Sequence, residues 1–245
     1  SLYFYIFQLM NTIMHNHFNR INKKYFKNIG DKKNLYEDIK KTINPLIKDK
    51  IILDIGSGGH IFYDHNLSKK IFVLDISQEM LNSMDDKNLI KINQDARNMS
   101  KVKDKTIDIV LIIFALHHIN GNSYKESIKS LKKTLYEVNN KLTDKGELFI
   151  IEPVLNKFLF VVEKLFYKII FLILQRFKTD MVFFYNQRTI QDNLLNIFKD
   201  SSLNITKIKM TGWFDPLLGT FPGLIKIPAI LMPTSMKCFY LQKTK

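Results

Sequence analysis

"LDIGSGGH", Leu53 to His60, decides how this chain is read. The apolar, β-branched run "KIILDIG" ends in glycines, the pattern of a buried strand running into a tight turn. The chain then alternates. "KIFVLDIS" reads as a strand and "SQEMLNSM" as a helix opened by Ser77. "LIKINQDA" and "IDIVLIIFAL" read as strands, and "YKESIKSLKKTLYEVNNKL" as a long amphipathic helix. The turn "TDKG" and the strand "ELFIIEP" complete the alternation. Such alternation implies a parallel sheet covered on both faces with right-handed crossovers. In these sheets ligands bind beyond the carboxyl ends of the strands, near the point where strand order reverses. The glycine turn stands at one of those ends.

Upstream, residues 11–48 read as helical: "HFNRINKKYF" and "NLYEDIKKTI" place apolar groups at three- and four-residue spacing, with Pro45 in a terminal turn. Downstream, "LNITKIKM" and "KCFYLQKTK" read as closing strands. With 245 residues and 46% of them hydrophobic, the chain can bury one substantial core with elaborations. A single cysteine, Cys238, rules out a disulfide framework or a cysteine-rich zinc site and suits a reducing, cytoplasmic compartment. The opening "SLYFYIFQLM" is too short to span a membrane and has neither the basic leader nor the cleavage site of a signal peptide. The net charge of +14 draws phosphates, but the excess is nearly all Lys, with arginines only at 20, 97, 176 and 188. Arg, not Lys, supplies bidentate phosphate and base recognition, so no specific nucleic-acid partner is expected.

Three ligands compete for the glycine turn. A nicotinamide or flavin site wants G-x-G-x-x-G, and here Ile61 stands where the third glycine belongs. A P-loop lacks its Gly-Lys-Ser or Gly-Lys-Thr. The acids point elsewhere, because Asp54 before the glycines, Asp75 ending the second strand and Asp95 ending the third put three carboxylates on one edge. That edge repels pyrophosphate and suits a ligand with a ribose diol, an amine and positive charge. Asp75 also suits a helix cap and Asp95 a turn, although Ser77 is better placed as the cap. No His, Cys or carboxylate spacing completes a metal site around His117 and His118, and none is expected.

"ILDIGSGG", "VLDISQEML", "NQDARNMS", "TIDIVLIIFALHHI" and "LTDKGELFIIEP", in this order over about Ile51 to Pro153, resemble the class I S-adenosylmethionine-dependent methyltransferases. Within that class they are similar to the small-molecule enzymes of the quinone-biosynthesis group. The resemblance implies a Rossmann-like α/β fold, a mostly parallel seven-stranded sheet with its last inserted strand antiparallel. It implies an N-terminal helical lid over 1–48, a cofactor-binding core over 49–153, an apolar helical cap over 154–200 and C-terminal strands completing the sheet over 201–245. The cofactor implied is S-adenosyl-L-methionine. Gly56, Ser57 and Gly58 would let backbone approach its amino acid part, which Asp54 would orient, while Asp75 would bind the ribose hydroxyls. Ile76 and Met80 would flank the adenine, Asp95 with Ala96 would recognise its edge, and Tyr25 would stand at the cofactor mouth. Phe114 and His117 would face the methyl group and acceptor, with His117 or His118 as candidate catalytic bases. His60 departs from the family pattern, which often has glycine there. Glu152, at the end of the fifth strand, suits either the acceptor or a backbone amide.

The segment "KFLFVVEKLFYKIIFLILQRFK", residues 157–178, is apolar nearly all round. At 100° per residue, Lys157, Lys164, Lys168 and Gln175 fall within about 20° of one line. Four placements suit such a helix: the core, a dimer surface, the cover of an acceptor pocket, or a membrane interface with its lysines toward headgroups. Spanning is disfavoured, since Lys164 and Lys168 would each cost on the order of 3 kcal/mol near the bilayer centre. Together with the apolar "DPLLGTFPGLIKIPAILMP", it favours a lipophilic acceptor and peripheral membrane contact. The expected reaction is in-line methyl transfer to a small acceptor. An RNA methyltransferase and a nicotinamide-dependent oxidoreductase with a variant glycine turn are the alternatives.

Overall fold

The computed structural model describes residues 33–176, 183–208, 213–214, 227–228 and 234–244. Tyr25 and most of "DPLLGTFPGLIKIPAILMP" lie outside them. The sheet is built from β1 (Ile51–Ile55), β2 (Lys70–Asp75), β3 (Leu89–Asn93), β4 (Ile107–Ile113), β5 (Leu142–Leu155), β6 (Ser201–Lys207) and β9 (Thr234–Lys243). Its spatial order is β3-β2-β1-β4-β5-β9-β6. β1 through β5 pair in parallel, and β9 runs antiparallel to both of its neighbours, β5 and β6. This is the seven-stranded, mostly parallel arrangement with one reversed strand that the sequence implies. A separate ribbon pairs β7 (Trp213–Phe214) with β8 (Ile227–Pro228).

Both faces of the sheet are buried, and the two-residue period of each strand divides its side chains between two cores. Leu53, Ile55, Val110, Ile112, Leu148 and Ile150 join the first. Ile52, Ile109, Leu111, Ile113, Phe149 and Ile151 join the second. The first core is closed by α3 (Tyr124–Lys141), through Leu131, Leu135 and Val138, and by α5 (Gln187–Ile197), through Ile190 and Leu194. The second is closed by α1 (Lys33–Ile47), whose Ile39, Ile43 and Ile47 recur at the four-residue helical spacing. Pro45 lies inside the last turn of α1, where it removes one backbone hydrogen bond just before the helix ends.

Ser77 caps α2 (Gln78–Asn82): its hydroxyl accepts from Met80 N at 3.2 Å. Ser123 caps α3 the same way through Glu126 N, 3.3 Å. One boundary differs from the sequence reading. Strand β5 begins at Leu142, directly after α3, and the expected turn "TDKG" lies within it. The partner register jumps from Ile107↔Leu142 to Ile109↔Glu147, so five residues of β5 advance against two of β4. The excess is taken up as a bulged stretch around Gly146, where a Cβ would stand 2.9 Å from the Leu142 side chain.

Helix α4 (Lys157–Arg176) follows β5 directly. It is not buried all round. Phe160 and Tyr167 enter the first core, with Ile170 and Phe171 packed beside them. The reverse face is open: Phe158 is 74% exposed, Leu165 73%, Ile169 55% and Leu172 55%.

β9 holds β6 to the rest of the sheet, and its Phe239 is fully buried in the first core. Phe239→Ala should therefore cost about 3–5 kcal/mol of stability, read as a lower urea midpoint with an unchanged slope of the transition.

Candidate active site

The order of the sheet reverses between β1 and β4, and a cleft of about 80 Å³, partly open to solvent, lies at that point. Its floor is the turn after β1. Gly56, Gly58 and Gly59 hold left-handed backbone at φ 68°, 62° and 79°, a region that side chains with a Cβ rarely adopt. Space forbids a side chain as well, because a Cβ on Gly56 would stand 2.7 Å from the Cβ of Ala115. Facing this turn, Phe114 takes φ 56° as β4 ends. A non-glycine residue held so is strained and needs support, and its amide donates to Ile151 O on β5 at 2.9 Å.

The three strand-end carboxylates differ in their surroundings. Asp54 is buried beneath the turn, where Oδ2 accepts from the Tyr63 hydroxyl at 2.8 Å and Oδ1 has no hydrogen-bond partner. Burial, opposed by the Tyr63 hydrogen bond and reinforced by the negative charge of Asp75, pushes its pKa up to about 7. The buried Ser57 Oγ is likewise unpartnered. Asp75 turns its carboxylate to the loops: Oδ1 accepts from Ser77 N at 2.8 Å and Oδ2 from Gly58 N at 3.3 Å. It thereby ties the end of β2 to the glycine turn. Asp95 is clasped by Arg97, which offers its backbone amide at 2.8 Å and its guanidinium at 2.6–3.0 Å.

Among the expected site residues, Gly56, Gly58, Asp75, Ile76, Met80, Asp95, Ala96 and Phe114 line the cleft together. Asp54 and Ser57 sit under its floor. The two histidine rings lie side by side, 4.3 Å apart. His118 lines the cleft, while His117 is buried behind it, its Nδ1 2.7 Å from Glu152 Oε2 and its ring stacked on Phe184 at 5.2 Å. Glu152 settles into the structural role of its two alternatives, because its other oxygen accepts from Leu116 N at 2.6 Å. One carboxylate thus holds both the backbone and the ring of the loop that roofs the cleft.

Sequence reasoning missed Gln94, Arg97, Ala115 and Ile119 in the lining. Arg97, two residues beyond Asp95, is the one with a readable signal, since a carboxylate and a guanidinium at that spacing on a turn can pair. His60 packs edge-on against Phe62 at 4.9 Å, and Phe62 stacks on Tyr36 of α1 at 4.7 Å. The residue that departs from the family pattern therefore joins an aromatic cluster linking the glycine turn to α1.

Residues 53–150 match the family model described as "Methyltransferase domain". No curated protein sequence matches the chain. Among solved structures, an S-adenosylmethionine-dependent methyltransferase of Thermotoga maritima is 13% identical. It aligns over 94% of this chain and 99% of its own, with a TM-score of 0.61. The N-methyltransferase NodS of Bradyrhizobium japonicum, crystallised with S-adenosyl-L-homocysteine, is 8% identical over 87% of each chain with a TM-score of 0.55. The YcgJ protein of Bacillus subtilis is 15% identical over 86% and 97%, with a TM-score of 0.57. At such identities the likeness is one of fold. The domain match favours methyl transfer over nicotinamide-dependent oxidoreduction.

Asp54 yields a pH prediction. Its folded pKa of about 7 lies above the ordinary 3.8, so the folded state holds the proton more tightly than the unfolded one. Below about pH 4 both states are protonated and the residue contributes nothing. As pH rises from about 4 to about 7 the unfolded carboxyl ionises while the folded one keeps its proton, so stability falls, by roughly 4 kcal/mol, and levels off above the folded pKa. Across that window the urea midpoint of Asp54→Asn should change less with pH than that of the parent, and parallel profiles would contradict the assignment.

Proposed function

We propose, from the premise that this chain carries a class I S-adenosylmethionine-dependent methyltransferase domain, that it moves the cofactor's methyl group to a small lipophilic acceptor by in-line displacement. The carrying observation is the convergence of the left-handed glycine turn, two buried polar atoms without partners and two anchored carboxylates on one cleft at the switch point. These residues fit the group. The side-chain-free backbone at Gly56 gives close approach that a Cβ would fill. Asp54 Oδ1 and Ser57 Oγ offer hydrogen-bonding capacity that the protein itself leaves unused.

When bound, the cofactor supplies an electrophilic methyl on a sulfonium and leaves as a neutral thioether. The chain's part is to bind, orient and exclude water. Asp54 holds the amino end from below, and a cation there favours its ionised form. Asp75, already fixed by Ser77 and Gly58, keeps lone pairs for the ribose hydroxyls. Ile76 and Met80 form an apolar slot for the adenine, with Ala96 at its edge and Asp95 held rigid by Arg97. Phe114 narrows the mouth between cofactor and acceptor.

His118 is the histidine that faces the cleft and serves as proton acceptor for a hydroxyl or amine substrate, whereas His117 positions the loop through Glu152. An apolar lining rich in Ile55, Leu74, Met80, Phe114 and Ile119 strips water from the attacking atom and holds it in line. The lipophilic acceptor is supported by the open apolar face of α4, which hangs beside the same loop and suits peripheral membrane contact.

Gly56→Val and Asp75→Ala should each weaken S-adenosylmethionine binding at least tenfold, roughly the loss of one charged hydrogen bond or a steric block, measured by calorimetry. Undiminished affinity in both would remove the binding assignment. Labelled S-adenosylmethionine, incubated with the protein and separated lipid, polar-metabolite and RNA fractions, should mark the lipid fraction. Label in RNA alone would overturn the lipophilic acceptor.

A further inference from the structure

We infer that the outward face of α4, with its lysine margin, docks the protein on an anionic lipid surface. At 100° per residue, Phe158, Val161, Leu165, Ile169 and Leu172 fall within one sector about 80° wide, on the side opposite the buried Phe160 and Tyr167. All five are exposed. Lone exposed apolar residues are common, but a continuous stripe five deep on one helix marks a contact surface.

What the stripe contacts is set by charge. Lys157, Lys164 and Lys168 form a single row along one edge of it, and Lys164 extends over the Tyr124 ring of α3, 4.4 Å from its centroid. The row continues on α3, where Lys125, Lys129 and Lys132 are exposed and share a surface hollow with Tyr124, Ile128 and a single acid, Glu126, whose carboxylate accepts from Asn122 N at 2.9 Å. The one acid in α4, Glu163, turns inward to accept from Phe184 N at 3.2 Å. An apolar stripe with cations along its margin and no acid on its outward face is complementary to acyl chains beneath anionic headgroups. A second copy would offer this helix the same stripe and the same lysines, with no acid from its own α4 to pair them. Among the described residues no helix is long and apolar enough to cross a membrane, so the contact lies in the plane of the surface.

The inward side of the same helix reaches the loop beside the cleft. Glu163 bonds the backbone at Phe184, Phe184 stacks on His117, and the neighbouring His118 lines the cleft. Docking would set the acceptor mouth at the lipid boundary. That consequence rests on the lipophilic-acceptor reading, but the docking itself does not.

The test is co-flotation of the full chain with vesicles of phosphatidylcholine alone and with added phosphatidylglycerol, at low and high salt. Flotation is expected with the anionic vesicles and should weaken as salt screens the lysines. Phe158→Ser with Leu165→Ser should lower partitioning about tenfold or more, and Lys157→Glu with Lys168→Glu by a similar factor. Melting temperature and cofactor affinity should be unchanged. Both lysines are exposed, so that pair decides the matter should the apolar pair unfold. Three results overturn the inference: no flotation on anionic vesicles, flotation indifferent to the lysine pair, or a dimer in solution abolished by the apolar pair. Methyl transfer to lipid fractions without flotation would remove the docking and leave the acceptor reading standing. Flotation with transfer only to polar metabolites would do the reverse.

Discussion

The approach of Gly56 to Ala115 is the constraint on which the cleft depends. Where sheet order reverses, the loops after β1 and β4 part to opposite faces, and the space between them becomes a binding site only if the backbones come close at its base. Here they come so close that even one carbon on residue 56 would collide. The left-handed turn that permits this is held from one side by Asp75, which accepts from Gly58 N. The opposing loop is held by Glu152 through Leu116 N and the His117 ring. Two carboxylates, one on β2 and one on β5, therefore fix the two walls, and the strained backbone of Phe114 is carried by β5.

The acids at this edge divide by environment. Asp75, Asp95 and Glu152 each receive hydrogen bonds from the protein, which hold them in place. Asp54 receives only one, from Tyr63, in a site that burial makes hostile to charge. It is thus the carboxylate with most to gain from a cationic ligand.

The sequence made most of this legible. Each strand of the sheet core was a short apolar run, and Ser77 declared itself as a cap by position. The β5 boundary was misread because "TDKG" has turn chemistry, and only its partner strand reveals a bulge in place of a turn. The histidine pair was ambiguous because the two rings lie side by side, and which one is held away from the cleft depends on where Glu152 lies, thirty-five residues after His117. Asp95 read as a ligand contact; its clasp by Arg97 is a local feature with a readable spacing that the family pattern overshadowed. The near-continuous apolar composition of α4 gave no clue to which side would be left open.

By itself, the sequence determined the fold class, the edge of the sheet where the glycine turn and acids gather, and the chemistry those groups can serve. These follow from local patterns: the period of burial along a strand, glycine at a left-handed turn, a capping serine before a helix. Only the tertiary structure decided which histidine faces the cleft, which carboxylate lacks a partner, and which face of α4 meets solvent. Each of those depends on a neighbour brought from far along the chain, and no periodicity within a segment records where such a neighbour will come to rest.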